Sequence, residues 1–240
     1  PFLCPSFAGF HGNVPDVFRA REFKRELKEF EEKGSFPNLI VMTLPNDHTQ
    51  GTRPLAPTPR ACVADNDRAL GEIVEAVTRS RFWPKTAIFV VEDDPQNGFD
   101  HVDGHRTVAF VISPYTRRRA VDSTNYNQTG MVKTMELILG IPPMNQMDLS
   151  ATPMRGCFQT TPALTPYEAK PAKIALDEMN PALPLISGLE RYWAEKSLEL
   201  DLDEVDEADD DTFNRILWHY VKGYNTPYPQ VTRTDLDNDQ

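Results

Sequence analysis

The chain has 240 residues, of which 36 are acidic and 25 are basic, so its formal net charge is −11 at pH 7. This balance argues against nucleic acid or an anionic membrane surface as the main partner, and no apolar run approaches the length of a membrane span. A hydrophobic content of 40% is enough for one sizeable core. The three cysteines are odd in number and widely spaced, which argues against a disulfide framework or a thiolate zinc site but leaves a single disulfide open.

The amino-terminal part alternates helical and strand patterns. Alternating charge at helical spacing predicts a helix over residues 16–34, with Asp16 at its N-cap and Gly34 as its stop. The apolar run "FPNLIVMTLP" at 36–45 is typical of a buried strand. Helical periodicity then returns over residues 61–80, and we expect Cys62 in this helix to be a buried small hydrophobe.

Two further strands are predicted over residues 86–93 and 107–115, and a helix over 128–140. Two more helices are predicted near the carboxyl end, over 186–198 and 205–222. The order of elements predicts a three-layer αβα sandwich with a mostly parallel sheet and a helical C-terminal appendage.

We divide the chain near residue 160. Residues 1–160 are expected to form the α/β domain, and 161–240, a Pro-rich segment followed by helices, to pack on the same domain. The acidic run at 198–211 lacks the central glycine of a calcium-binding loop, so we interpret it as the acidic N-terminus of a helix.

Polar clusters follow the predicted strands. "NDH" at 46–48 follows the first, "EDD" at 92–94 follows the second, and "DHVDGHR" at 100–106 precedes the third. The carboxyl ends of neighbouring parallel strands meet at one edge of a sheet, so we expect the clusters to converge there. Carboxylates and imidazoles together suit one or two divalent cations, whose charge offsets the repulsion among the acids. The predicted metal ligands are Asp47, His48, Asp93, Asp94, His101 and His105.

Other interpretations of these residues stay open. Each polar residue taken singly could be a solvated loop residue at a strand end. Arg106 could hold a substrate oxyanion or pair with a neighbouring carboxylate. Asp65 and Asp67 are typical of acids in the first turn of a helix, and Asn66 could reach the site.

Several segments together resemble one known family. They are "LPNDHTQGT", "TPRACVADNDRALGEIVEAV", "TAIFVVEDDPQNGFDHVDGHR", "VISPY" and "MVKTMELILGIPPM". These segments are similar to the bacterial phosphoesterase family, which contains phospholipases C and acid phosphatases within the alkaline phosphatase superfamily. The likeness runs from about residue 16 to 158 and is closest to the phosphoesterase domains that often follow a β-propeller.

The resemblance implies metal-dependent hydrolysis of a phosphate ester and an alkaline-phosphatase-like fold. By position it implicates Asp47 and His48, then Asp93 and Asp94, and then His101 or His105 as ligands. We also assign catalytic roles to His101, His105 and Arg106. Relatives often have Asp-His where this chain has Asp93-Asp94. That difference suits a harder metal or a single ion, so Zn²⁺, Mn²⁺, Ca²⁺ and Mg²⁺ all remain candidates.

The superfamily's Ser or Thr nucleophile, and a Glu-Asn motif near it, have no counterpart in these 240 residues. We therefore expect this chain to be the carboxyl half of a longer enzyme, with the amino-terminal half or a preceding β-propeller as its partner. The alternative is a non-catalytic binding or assembly module that retains the fold. The resemblance further implies a bacterial protein that is secreted, periplasmic or at the cell surface.

Overall fold

A computed structural model describes residues 3–10, 14–93, 106–204 and 207–229. This part of the chain forms a mixed α/β structure, which confirms the predicted class at that level. It contains six helices: α1 (Asp16–Lys33), α2 (Pro59–Arg79), α3 (Gln128–Leu139), α4 (Gln146–Ser150), α5 (Gly188–Glu199) and α6 (Asp210–Lys222). Its strands are β1 (Ile88–Val91) and β2 (Ala109–Ile112).

The helix boundaries follow local chemistry. Helix α1 begins at Asp16, and Gly34 just past its end has φ of +75°, a conformation that glycine adopts without steric cost. Helix α2 begins at Pro59, two residues before the predicted start, because proline is favoured at the first helical position. Gly140 ends α3 in the left-handed conformation, as the sequence predicts.

Strands β1 and β2 confirm two predicted strands, although each is shorter than predicted. They pair antiparallel, with Ile88 opposite Ile112. The strand predicted over 36–45 is wrong, because that segment is irregular and Val41 is 86% exposed. An apolar run becomes a strand only where another strand accepts its backbone hydrogen bonds, and no such partner occurs in the described ranges. The predicted parallel sheet is therefore not formed by the residues that the structure describes.

The chain divides into two compact units. Unit 1 comprises Pro1–Glu22, Thr43–Gly71 and Lys170–Gln240, and unit 2 comprises Phe23–Met42 and Glu72–Ala169. The buried apolar side chains of unit 1 are those of Ala20, Ala56, Ala61, Cys62, Ala69, Trp193, Ala194, Leu202, Phe213 and Ile216. Those of unit 2 are Phe23, Leu27, Ile73, Val74, Val77, Trp83, Met131 and Met154.

In unit 1, α5 packs on α6, and the Trp193 indole stacks on the His219 ring with centroids 4.6 Å apart. Asp209 caps α6, where its side chain accepts a hydrogen bond from the Thr212 amide. The helix predicted over 205–222 therefore begins five residues later than expected, and only the last acids of the run, Asp209–Asp211, lie at a helix N-terminus, where carboxylates suit the helix dipole.

No helix in the described ranges is long and apolar enough to cross a membrane. None of the three cysteines forms a disulfide, and Cys62 is 2% exposed, as expected of a buried hydrophobe. Burial and the neighbouring Asp65 raise the pKa of the Cys62 thiol to about 11. This thiol is therefore protonated and unreactive near neutral pH.

Helix α3 contains a glycine that cannot be enlarged. A Cβ atom added to Gly130 would lie 2.5 Å from the Thr152 carbonyl oxygen. Gly130→Ala should therefore lower the free energy of unfolding by about 1–3 kcal/mol through overpacking, although alanine is normally the better helix former. Urea denaturation would measure the change. Gly9→Ala is the matched control, because no atom lies within 4 Å of its added Cβ, and an equal loss in both variants would contradict the prediction.

Candidate metal and phosphoester site

Asp47 and His48 lie in a single 3-10 turn of unit 1, Asn46–His48. Pro45 precedes the turn, and the Asn46 backbone amide donates to Asp16 Oδ2 at 2.9 Å, which fixes its first residue. Asp47 and His48 are both half-buried. The turn therefore holds a carboxylate and an imidazole side by side on a fixed backbone.

His48 has a defined orientation. Its ring lies 5.4 Å from the Phe10 ring, edge to face, and 5.6 Å from the Phe213 ring. Nδ1 lies 3.3 Å from the Thr49 carbonyl oxygen, which can only accept a hydrogen bond. This contact places a proton on Nδ1, so in the neutral ring Nε2 carries the lone pair, the arrangement found in metal-binding histidines.

The residue after this turn has an unusual backbone. Thr49 has φ of 62° and ψ of 173°, a region occupied almost only by glycine, and its side chain is buried. Its Oγ1 accepts a hydrogen bond from the Gly51 amide at 3.0 Å. A β-branched residue in this conformation costs on the order of 1–3 kcal/mol, which the surrounding contacts must offset.

Asp93 lies in unit 2, two residues after the end of β1, and is exposed. Its Oδ1 accepts a hydrogen bond from the side-chain amide of Gln128, the first residue of α3, at 3.1 Å. The Glu92 amide donates to the Val108 carbonyl at 2.9 Å, so backbone pairing continues one residue past β1. Arg106 is an exposed residue of the same unit, three residues before β2.

The predicted ligands are divided between the described residues and the residues outside them. Asp94, His101 and His105 lie outside the described residues. The remaining candidates belong to different units, with Asp47 and His48 in unit 1 and Asp93 and Arg106 in unit 2. The assembled ligand set therefore stays a prediction.

A buried network of polar side chains is hydrogen-bonded to Asn46, the first residue of the Asn46–His48 turn. The sequence analysis did not predict this network. Asp16 Oδ1 accepts a hydrogen bond from the Arg19 guanidinium at 3.0 Å, and Asp16 Oδ2 accepts one from the Asn66 amide at 3.1 Å. Asp65 Oδ2 accepts from the Asn46 side chain at 2.7 Å and from the Asp16 backbone amide. Asp16, Arg19 and Asp65 are at most 2% exposed.

The signal for this network was present but ambiguous. Asp16 resembled an ordinary N-cap, and Asp65 resembled an acid of a first helical turn. Because α2 begins at Pro59, Asp65 instead lies in its second turn and faces the interior. Asn66, which the sequence left open as a residue that could reach the site, donates to the Leu44 carbonyl at 2.7 Å, two residues before the turn.

Burial changes the acidity of this network. Desolvation raises the pKa of Asp16 to about 6, and the nearby Asp65 also raises it. The hydrogen bond from the Asn46 amide and the charge of Arg19 lower the pKa of Asp16, but by less than desolvation raises it. The carboxyl group is therefore ionised at neutral pH, with its charge supported mainly by Arg19 and neighbouring amides.

Asn180 holds the loop that follows the turn. Its Nδ2 atom lies 3.1 Å from the Gly51 carbonyl, 3.0 Å from that of Arg53 and 3.3 Å from that of Pro57. The side chain is 3% exposed, and its backbone amide donates to the Ala56 carbonyl at 2.8 Å. One buried amide thus fixes the path of residues 51–57.

Comparison with known proteins identifies the family. The model of the Phosphoesterase family matches residues 21–142, more than half of the chain. The chain therefore belongs to the phosphoesterase family, which confirms the resemblance at the level of the family. Searches of curated proteins and of solved structures found no significant match. Membership indicates a hydrolase that acts on phosphate esters.

Proposed function

We propose that this chain is the metal-binding carboxyl half of an alkaline-phosphatase-like enzyme that hydrolyses phosphate esters. One observation carries the proposal: the family match over residues 21–142 encloses every predicted site residue. In the proposal the complete fold is a three-layer αβα sandwich, and residues 161–240 pack on the same domain. The substrate is a phosphomonoester or a phospholipase C-type diester.

The chemistry of the proposed ligands suits a divalent cation. In the neutral His48 ring with its proton on Nδ1, Nε2 carries the lone pair; Asp47 is its neighbour on the same turn, and Asp93 is an exposed carboxylate two residues after β1. Nitrogen and carboxylate oxygen are ligands for Zn²⁺ and Mn²⁺, and a more oxygen-rich set suits Mg²⁺ or Ca²⁺. We propose Asp94, His101 and His105 as the remaining ligands.

A bound cation supplies positive charge that stabilises the phosphoryl oxygens and the leaving alkoxide. The chain's own residues orient the ester. Arg106 binds a phosphoryl oxygen through its guanidinium, which matches phosphate geometry. His48 holds its proton on Nδ1 through the Thr49 carbonyl, so Nε2 stays available as a ligand. The attacking Ser or Thr belongs to an amino-terminal partner segment, and the enzyme acts outside the bacterial cytoplasm.

Hydrolysis of p-nitrophenyl phosphate tests the proposal. The 240-residue chain alone should hydrolyse this ester or its bis ester poorly or not at all, because it lacks the nucleophile. A protein that joins it to a segment carrying the Glu-Asn motif and a Ser or Thr should be active with added Mn²⁺. Asp93→Ala in that protein should lower kcat/KM at least about 100-fold. Loss of a metal ligand should reduce activity more than loss of a residue that only orients a ligand, which typically costs about 10- to 100-fold.

The control is Asp67→Ala, which removes an exposed carboxylate of α2 outside the proposed ligand set. Strong turnover by the chain alone would show that the nucleophile lies within these 240 residues. Metal-independent turnover, or equal loss in both variants, would overturn the proposed metal site. A joined protein without any activity would favour the non-catalytic binding module.

A further inference from the structure

Two buried carboxyl groups lie side by side where α3 contacts α4 in unit 2. Glu136 of α3 is 3% exposed, and Asp148 of α4 is 2% exposed. Both accept a hydrogen bond from the Met144 backbone amide, at 3.3 Å to Glu136 Oε1 and at 2.9 Å to Asp148 Oδ2. A single donor thus serves both acids, which brings their oxygens together.

No positive charge neutralises this pair within the described part of the chain. Besides the two acids, α3 and α4 carry one charged side chain, Lys133, and it forms no salt bridge with either of them. Burial raises the pKa of Asp148, but hydrogen bonds from neighbouring backbone amides, first that of Asn145, and from the Glu136 side chain hold the pKa below its usual value. Asp148 is therefore the ionised member of the pair near neutral pH.

Glu136 is the member that lacks support for a charge. Its Oε2 atom is buried and has no hydrogen-bond donor within reach. An ionised Glu136 would leave this oxygen unsatisfied beside the negative Asp148, and both effects are unfavourable. A protonated carboxyl group instead donates an O–H hydrogen bond to the carboxylate, one of the stronger kinds of hydrogen bond. A proton also needs no extra room, whereas a divalent cation needs several further ligands in the same buried space.

The pair holds the connection between the two helices. Asp148 Oδ1 accepts from the Asn145 amide at 3.0 Å in the capping box of α4, and Glu136 links this arrangement to α3 through the Met144 amide. Apolar burial adds little here, because the Met144 and Met147 side chains are 72% and 69% exposed. Helix α4 has only five residues, so its position depends on these polar contacts.

We propose that Glu136 and Asp148 share one proton, which Glu136 holds and donates to Asp148, and that this pair is a pH-sensitive latch between α3 and α4. When Glu136 loses its proton at higher pH, two adjacent buried negative charges repel each other and the connection over residues 140–145 separates from α3. This inference goes beyond the proposed phosphoesterase function and does not depend on it, because it needs no metal and no substrate.

Hydrogen exchange of the Met144 amide in the full chain tests the proposal. Its protection factor, which corrects for the intrinsic exchange rate, should fall at least about tenfold in the wild-type chain between about pH 5 and about pH 8. Glu136→Gln keeps the shape and replaces the donating O–H by an N–H, so its protection factor should stay constant within about twofold. Glu29→Gln changes an exposed acid of α1 and is the matched control, which should show the wild-type fall.

Carboxyl ¹³C NMR of the wild-type chain provides a second measurement, in which Glu136→Gln identifies the signal. The Glu136 carboxyl carbon should keep the chemical shift of a protonated acid at about pH 6, where free glutamic acid is ionised. An ionised Glu136 at that pH, constant protection of Met144 in the wild-type chain, or a parallel fall in Glu136→Gln would overturn the proposal. Saturable binding of Ca²⁺ or Mg²⁺ that is lost in Glu136→Gln would assign the pair to a cation and would also overturn it.

Discussion

Replacing Asp16 with alanine should lower the free energy of unfolding by about 3–5 kcal/mol. Asp16 is fully buried and accepts a hydrogen bond from Arg19, which is only 1% exposed. The substitution leaves the guanidinium charge buried without this carboxylate partner, although Arg19 Nε still donates to the Ala8 carbonyl at 3.0 Å. It also removes the acceptor of the Asn46 amide, so the turn that carries Asp47 and His48 loses its support.

Urea denaturation measures this loss, and Glu29→Ala is the control. Glu29 pairs with Arg25 on the exposed surface of α1, and loss of such a pair changes stability by less than about 1 kcal/mol. Similar losses in the two variants would contradict the importance assigned to the buried network.

The pH dependence of stability gives a second measure of the same network. The folded state holds the Asp16 proton up to a pKa of about 6, whereas an unfolded aspartic acid loses it near about 3.9. Stability from this group is therefore complete below about pH 4 and is lost as the pH rises through about 6. Wild-type stability relative to Asp16→Asn should fall over that window, and a relative rise would contradict the assignment.

Asn180→Asp should lower the free energy of unfolding by about 3–5 kcal/mol, although it changes only one atom of the side chain. The wild-type Nδ2 atom faces three backbone carbonyls of the loop over residues 51–57. In the variant, a carboxylate oxygen would replace Nδ2 and would face three carbonyl oxygens, none of which can donate a hydrogen bond. The substitution also buries a negative charge without a partner. Asn180→Ala should cost less, about 1–3 kcal/mol, because it removes the donors without adding repulsion.

The matched control for this change is Asn127→Asp. Asn127 caps α3 through Oδ1, which accepts from the Gly130 amide at 2.8 Å, so its role is that of an acceptor. A carboxylate performs this role equally well at a helix N-terminus, and stability should stay within about 0.5 kcal/mol. Urea denaturation compares the variants, and equal effects at positions 180 and 127 would show that Asn180 does not act as a donor.

Local signals in the sequence predicted the helices well. Gly34 and Gly140 end α1 and α3 as expected, because the left-handed conformation after a helix is accessible to glycine. The apolar run at 36–45 was misinterpreted, since strand formation depends on a partner that sequence composition does not reveal.

The candidate site shows the same division between local and long-range information. The turn at Asn46–His48 and the carboxylate after β1 follow from motifs that can be read directly. The contacts of Asp16 with Asn46 and Asn66 join residues 30 and 50 positions apart. Such pairs depend on how the helices fold back on one another, which periodicity within one helix does not specify.

Metal binding by the chain tests the central claim most directly. Calorimetric titration of the metal-free protein with Mn²⁺, Zn²⁺, Ca²⁺ and Mg²⁺ should show saturable binding of at least one ion. Asp47→Asn and Asp93→Asn should each weaken that binding at least about tenfold, as loss of a ligand requires, whereas Asp67→Asn should not. Absence of binding by all four ions, or an affinity that is unchanged in Asp47→Asn and Asp93→Asn, would contradict the assignment of a metal-dependent phosphoesterase site to these residues.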